Sequence, residues 1–170
     1  MKKLLFLFLV IPFLFAASPL QQKHLAVIAA LSGITDLVTN GDFSSTEAGT
    51  VNDDPVDWVS TDVDANAYIY ADGSTCRIYS TTAYIAVTQA MTMAGLSCHL
   101  TLDVTVDGGG AVAIGSYIGG SDIGTLNSTG SKNFDFTGNN VDVNKNNLSF
   151  KRSSGAGDDL TIDNVVVWCD

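Results

Sequence analysis

Leu100-Thr101-Leu102-Asp103-Val104-Thr105-Val106 alternates apolar and polar residues without a break, which puts one side of an extended strand in a core and the other in water. The same device recurs at Phe134 and Phe136 and at Leu148 and Phe150. From Asp36 onward the chain falls into short period-two segments divided by Gly, Asn, Asp and Ser, the pattern of an all-β, antiparallel β-sandwich. Strands are expected near 36–43, 66–70, 75–80, 84–92, 97–106, 111–118, 133–137, 146–152 and 160–168. Gly108-Gly109-Gly110 and Gly119-Gly120 bracket one small-residue strand and mark turns or bulges. No helix follows them, so a phosphate-binding loop is a poor reading.

Upstream the character changes. Lys2-Lys3 precede an apolar run from Leu4 to Ala17, interrupted by Pro12 and followed by Ser18-Pro19. Residues 1–18 therefore read as an apolar helix serving as a secretory signal peptide; the run is short for a bilayer span of about 20 residues. Residues 19–35 form a linker or short helix with a rough apolar stripe at Leu25, Ile28, Ala29 and Leu31, and residues 36–170 form the sandwich domain. A secreted, extracellular product is the expectation.

The chain has 170 residues, 18 acids against 8 bases and a formal net charge of −10. Lacking a Lys/Arg cluster, it has no electrostatic footprint for nucleic acid, and an anionic membrane surface is an equally poor partner once the signal is removed. Catalysis is also poorly supplied. Hydrolysis needs a nucleophile with a base or two carboxylates across a cleft, whereas the sequence offers two His and one Glu. His24 precedes the domain, and His99 reads as a solvated strand-face residue. Asp pairs such as Asp53-Asp54 and Asp158-Asp159 read as turn and solubility features, and the chain is expected not to be an enzyme.

Export would place Cys76, Cys98 and Cys169 in an oxidising compartment. Cys76 alternates in step with Ile78 and Cys98 with Leu100, so both face the core, and a Cys76–Cys98 disulfide is the preferred pairing; two unbridged core thiols are the alternative. Cys169 would then be free to link chains. The sequons at Asn127 and Asn147 are of a kind that arises by chance.

Three motifs carry a resemblance. Leu37-Val38-Thr39-Asn40-Gly41-Asp42-Phe43 opens the domain, with Trp58 fifteen residues on; Val87-Thr88-Gln89-Ala90-Met91-Thr92-Met93-Ala94-Gly95 leads into the alternating strand; and Leu160-Thr161-Ile162-Asp163-Asn164-Val165-Val166-Val167 closes the domain. Together they resemble carbohydrate-binding modules of the family 4/9 type, galactose-binding-like jelly rolls that also occur in phage tail and virion proteins. The resemblance covers about residues 36–170. It implies a non-catalytic module recognising a cell-surface glycan or polysaccharide, with a structural calcium ion held by Asn40, Asp42 and Asp163 and by backbone oxygens near Gly41. Ser44 departs from the Glu that many relatives carry there.

Sugar recognition would use aromatic rings that stack on pyranose faces. Tyr68 and Tyr70 share one side of their strand, Arg77 and Tyr79 one side of the next, and pairing of the two strands would gather all four on one exposed face, with Tyr84 and Tyr117 able to extend it. The simpler reading is cross-strand packing. Trp58 and Trp168 read as core plugs. The rival function is a structural, decoration or tail-associated protein of a phage virion or surface layer, in which the sandwich and Cys169 serve self-association, assembly or host adhesion.

Overall fold

A computed structural model describes residues 35–47, 54–61, 67–81, 84–108, 110–118, 120–138, 147–152 and 158–170. The expected signal peptide and nearly all of the linker lie outside the described residues. The chain divides into two units, Met1–Thr35 and Asp36–Asp170, and the architecture below is that of the second.

Every described element is a strand: β1 (Thr46–Glu47), β2 (Asp54–Pro55), β3 (Val59–Ser60), β4 (Ala67–Ala71), β5 (Cys76–Ser80), β6 (Ile85–Ala90), β7 (Ser97–Val106), β8 (Val112–Gly115), β9 (Gly124–Leu126), β10 (Gly130–Thr137), β11 (Asn147–Arg152) and β12 (Asp158–Cys169). They form a small β1-β2 ribbon and two five-stranded sheets, ordered β10-β7-β12-β5-β4 and β3-β6-β11-β8-β9. All strand pairings are antiparallel. The all-β sandwich read from the alternation is the observed fold.

Alternation sets the layers. Leu100, Leu102 and Val104 of β7, Ile69 of β4, Ile78 of β5 and Leu160, Ile162 and Val167 of β12 are buried and share one core cluster with Ile85 and Val87 of β6, Ile114 of β8 and Leu148 and Phe150 of β11. Burying each such side chain contributes about 1.5–3 kcal/mol, and the two inner faces supply them in facing layers. Trp58 is a core plug as expected, 5.5 Å from the Phe43 ring and 6.1 Å from that of Phe150.

Residues 36–43 are not the strand that the sequence suggests. Asn40 and Phe43 have positive φ, 51° and 49°, which no regular strand accommodates. The segment is a strap along the distal half of β12 instead. Leu37 N donates to Val167 O at 2.8 Å, Val165 N to Gly41 O at 2.9 Å, and Asp36 Oδ1 accepts from Val167 N at 3.1 Å. A Cβ on Gly41 would stand 2.0 Å from Val165 O, so the close approach of these two backbones requires glycine. Buried Gln89 fastens the strap, accepting from Thr39 N at 2.9 Å while its Nε2 donates to Thr39 O at 2.8 Å.

The expected Cys76–Cys98 bridge is replaced by Cys98–Cys169, with Cα atoms 4.0 Å apart. Both candidates do face the core, but β12 lies between β5 and β7, so Cys76 stands opposite Ile162 and Cys98 opposite Cys169. Cys169 is thereby bound within its own chain.

Candidate functional site

β4 and β5 pair so that Tyr68 stands opposite Tyr79 and Tyr70 opposite Arg77. Their neighbours Ile69 and Ile78 point into the core, which sends all four side chains to the outer face. The four predicted residues are brought together. The Tyr68 and Tyr79 rings lie 5.0 Å apart at 33°, and the Arg77 guanidinium sits 5.7 Å from the first centroid and 5.6 Å from the second. Tyr70 keeps 36% of its surface in solvent.

The guanidinium is positioned from the third strand. Asp159 of β12 stands opposite Tyr79, and its carboxylate receives Arg77 Nε at 2.6 Å and Arg77 Nη2 on its other oxygen. This two-pronged pair fixes the plane of the fork and raises the Arg77 pKa above its ordinary value. Desolvation raises the Tyr68 phenol as well, against the lowering influence of Arg77, so the Tyr68 hydroxyl is neutral at neutral pH. The turn role expected for the Asp158-Asp159 pair does not hold for Asp159, which lies within β12, and only the strand order β12-β5-β4 shows that it belongs here. Tyr84 is exposed just before β6 and Tyr117 is half-buried in the turn after β8; both strands belong to the other sheet, so neither residue extends this face.

Two of the three residues in the calcium set drawn from the sequence, Asn40 and Asp42, spend side-chain atoms on their own loop. Asn40 Nδ2 donates to Ser45 O at 2.8 Å and to Val56 O at 3.0 Å, while its Oδ1 accepts from Ser45 N at 3.0 Å, so its side chain is committed to the loop. Asp42 Oδ1 accepts from Ser44 N and Ser44 Oγ, and Gly41 O accepts from Val165 N. Asp163 differs: its Oδ1 is buried with no hydrogen-bond partner among the described residues. Desolvation, reinforced by Asp103, Asp42 and Asp72, pushes its pKa up to about 6. Among the described residues no group of three or more His, Cys, Asp or Glu could hold a metal ion.

Trp168 is not a core plug. It is half-buried on the outer face of β12, opposite His99 of β7, and the two rings stack with centroids 5.2 Å apart at 23°. His99 Nδ1 lies 2.7 Å from Asp135 Oδ1 and its Nε2 lies 3.4 Å from Asp170 Oδ2. The hydrogen bond with Asp135, aided by Asp170, raises its pKa.

No family model matches the chain, and none of the curated proteins does. Solved structures do share its fold. One described as "CBM4 structure and function" superposes with a TM-score of 0.52 at 13% identity, covering 78% of this chain and 99% of that one. A cyclase from Fischerella sp. TAU has a TM-score of 0.52 at 12% identity, covering 81% and 98%. A carbohydrate-binding module of family 29 gives 0.49 at 17% identity, covering 80% and 90%. At such identities the likeness is one of fold: this chain has the β-sandwich seen in the CBM4 structure.

Proposed function

We propose that this protein is a non-catalytic, secreted carbohydrate-binding module that takes a cell-surface glycan or polysaccharide on the outer face of β4 and β5. The observation that carries the reading is the Tyr68–Tyr79 pair with Arg77 clamped over both rings by Asp159. Tyr68 and Tyr79 offer aromatic area to the apolar faces of pyranose rings, and Arg77 and the phenols offer hydrogen bonds to hydroxyls. The fold shared with a CBM4 structure supports the same reading, although the fold it shares with a cyclase shows that the sandwich alone does not exclude catalysis. Scarcity of general bases in the sequence supports a binding role. Extracellular localisation is supported by the apolar leader and by the Cys98–Cys169 bridge, which needs an oxidising compartment to persist.

The test is retention of the purified chain on a panel of arrayed glycans and insoluble polysaccharides, compared with a Tyr68→Ala/Tyr79→Ala variant. Retention by the parent chain, lost in a variant that still melts cooperatively, is the expected result. A panel on which nothing is retained would overturn it. The rival assembly role loses one of its supports, since Cys169 is engaged within the chain.

A further inference from the structure

The outer face that presents Tyr68 and Tyr79 does not end at β5. It continues across β12 and β7 through the opposed pairs Thr161–Thr105, Asp163–Asp103 and Val166–Thr101, and reaches a second aromatic pair at Trp168–His99. From Thr105 to His99 is six residue steps along β7, so the two aromatic pairs stand at least about 20 Å apart along the strand direction. A mono- or disaccharide cannot touch both. The second pair is held rigidly: His99 follows Cys98 and Trp168 precedes Cys169 in the chain, so the disulfide fixes the backbone beneath the stack. Asp170 N adds a hydrogen bond to Ser97 O at 2.8 Å. A platform already fixed in place loses little entropy when a ligand stacks on it.

Charge restricts what the span can take. Arg77 is already paired with Asp159, and His99 lies between Asp135 and Asp170. Between the two ends stand Asp103 and Asp163, facing each other across β7 and β12. Asp103 accepts from Ser131 Oγ at 2.5 Å and from Asn164 Nδ2 at 2.9 Å, neutral donors that leave its negative charge in place, so a polyuronate or sulfated chain would be repelled there and a neutral chain would not.

Building on the binding role proposed above, we propose that this face is one extended site for a neutral polysaccharide chain of several units, stacked at Tyr68 and Tyr79 at one end and at Trp168 and His99 at the other.

The experiment is a length series. Neutral β-linked gluco-, manno- and xylo-oligosaccharides from disaccharide to octasaccharide are titrated against the parent chain and Trp168→Ala. The expected result is that affinity rises with length and that Trp168→Ala costs the longest ligand about tenfold, the effect of one aromatic contact, while leaving the shortest unaffected. Tryptophan emission gives a readout that does not depend on that variant's folding. The chain has two tryptophans, and Trp58 is buried, so the difference between the parent and Trp168→Phe isolates Trp168. Its emission should change with the octasaccharide and not with the disaccharide. Binding that does not improve with length, or a Trp168 signal indifferent to the octasaccharide, overturns the extended site and leaves the Tyr68/Tyr79 site standing. No binding by any member overturns both.

Discussion

Asp159 accepts Arg77 through two nitrogens of one guanidinium, and that guanidinium is the group that bridges the Tyr68 and Tyr79 rings. The ion pair therefore acts as a positioning device for the aromatic face. Asp159→Asn should lower stability by only about 1 kcal/mol, because the Arg77 side chain remains 42% exposed and solvent screens the pair. Glycan retention should fall much further, since the fork loses its fixed plane. Melting and retention measured on the same preparation check this; parallel small losses in both would show that the clamp does not serve binding.

The Cys98–Cys169 bridge closes a loop with a sequence separation of 71, so reduction should cost about 2–4 kcal/mol. Non-reducing peptide mapping should find Cys76 as the thiol outside the bridge. Cys76→Ser should keep the bridge and Cys98→Ser should lose it. A Cys76–Cys98 peptide in the map would contradict the strand order itself.

Acidification from pH 8 to pH 5 should stabilise the domain. Asp163 titrates at about 6 in the native state against an ordinary 3.8, so the folded chain binds the extra proton between those values and stability rises as pH falls through 6. His99 has a raised pKa, so its contribution is complete below the ordinary value of 6.5 and lost as pH climbs through the native one. Both effects share a direction. Urea midpoints at the two pH values measure the sum, and Asp163→Asn should raise the midpoint at pH 8 while flattening the profile. A midpoint that falls on going to pH 5 would refute the assignment.

Gly41→Ala should destabilise by about 2 kcal/mol or more, because the added Cβ would meet Val165 O at 2.0 Å and push the strap off β12. Tyr70→Ala, at an exposed position, should stay within about 0.5 kcal/mol of the parent. Thermal melts of the two variants should separate cleanly.

With Asn40 committed to Ser45 and Val56, chelation by EDTA should leave the Tm where it is. A fall on chelation, restored by calcium and absent in Asp163→Asn, would return an ion to this end of the domain.

Strand β7 was legible to the residue, since Leu100 to Val106 alternates and needs nothing from elsewhere in the chain to explain it. The gathering of Tyr68, Tyr70, Arg77 and Tyr79 was legible for the same reason: a short connection makes β4 and β5 neighbours. What failed depended on strand order. Cys76 and Cys98 both point inward, but the intervening strand comes from the far end of the domain, a fact that no local pattern encodes. Trp168 was misplaced because the bulge between Asp163 and Val166, with Asn164 at φ 60°, shifts the alternation along β12. Residues 36–43 look like a strand by composition, yet Asn40 and Phe43 take a left-handed backbone that side chains and Gly41 hold in place.

The position of β12 also governs how the molecule is made. β5 and β7 each pair with β12 and not with each other, and β12 follows every other strand in the chain. During vectorial synthesis the β4-β5 hairpin and the β7-β10 pair must therefore wait as two separate pieces without a keel, and closure of that sheet is delayed until β12 has left the ribosome. A polypeptide that stays open this long can be threaded through a translocation pore before it folds.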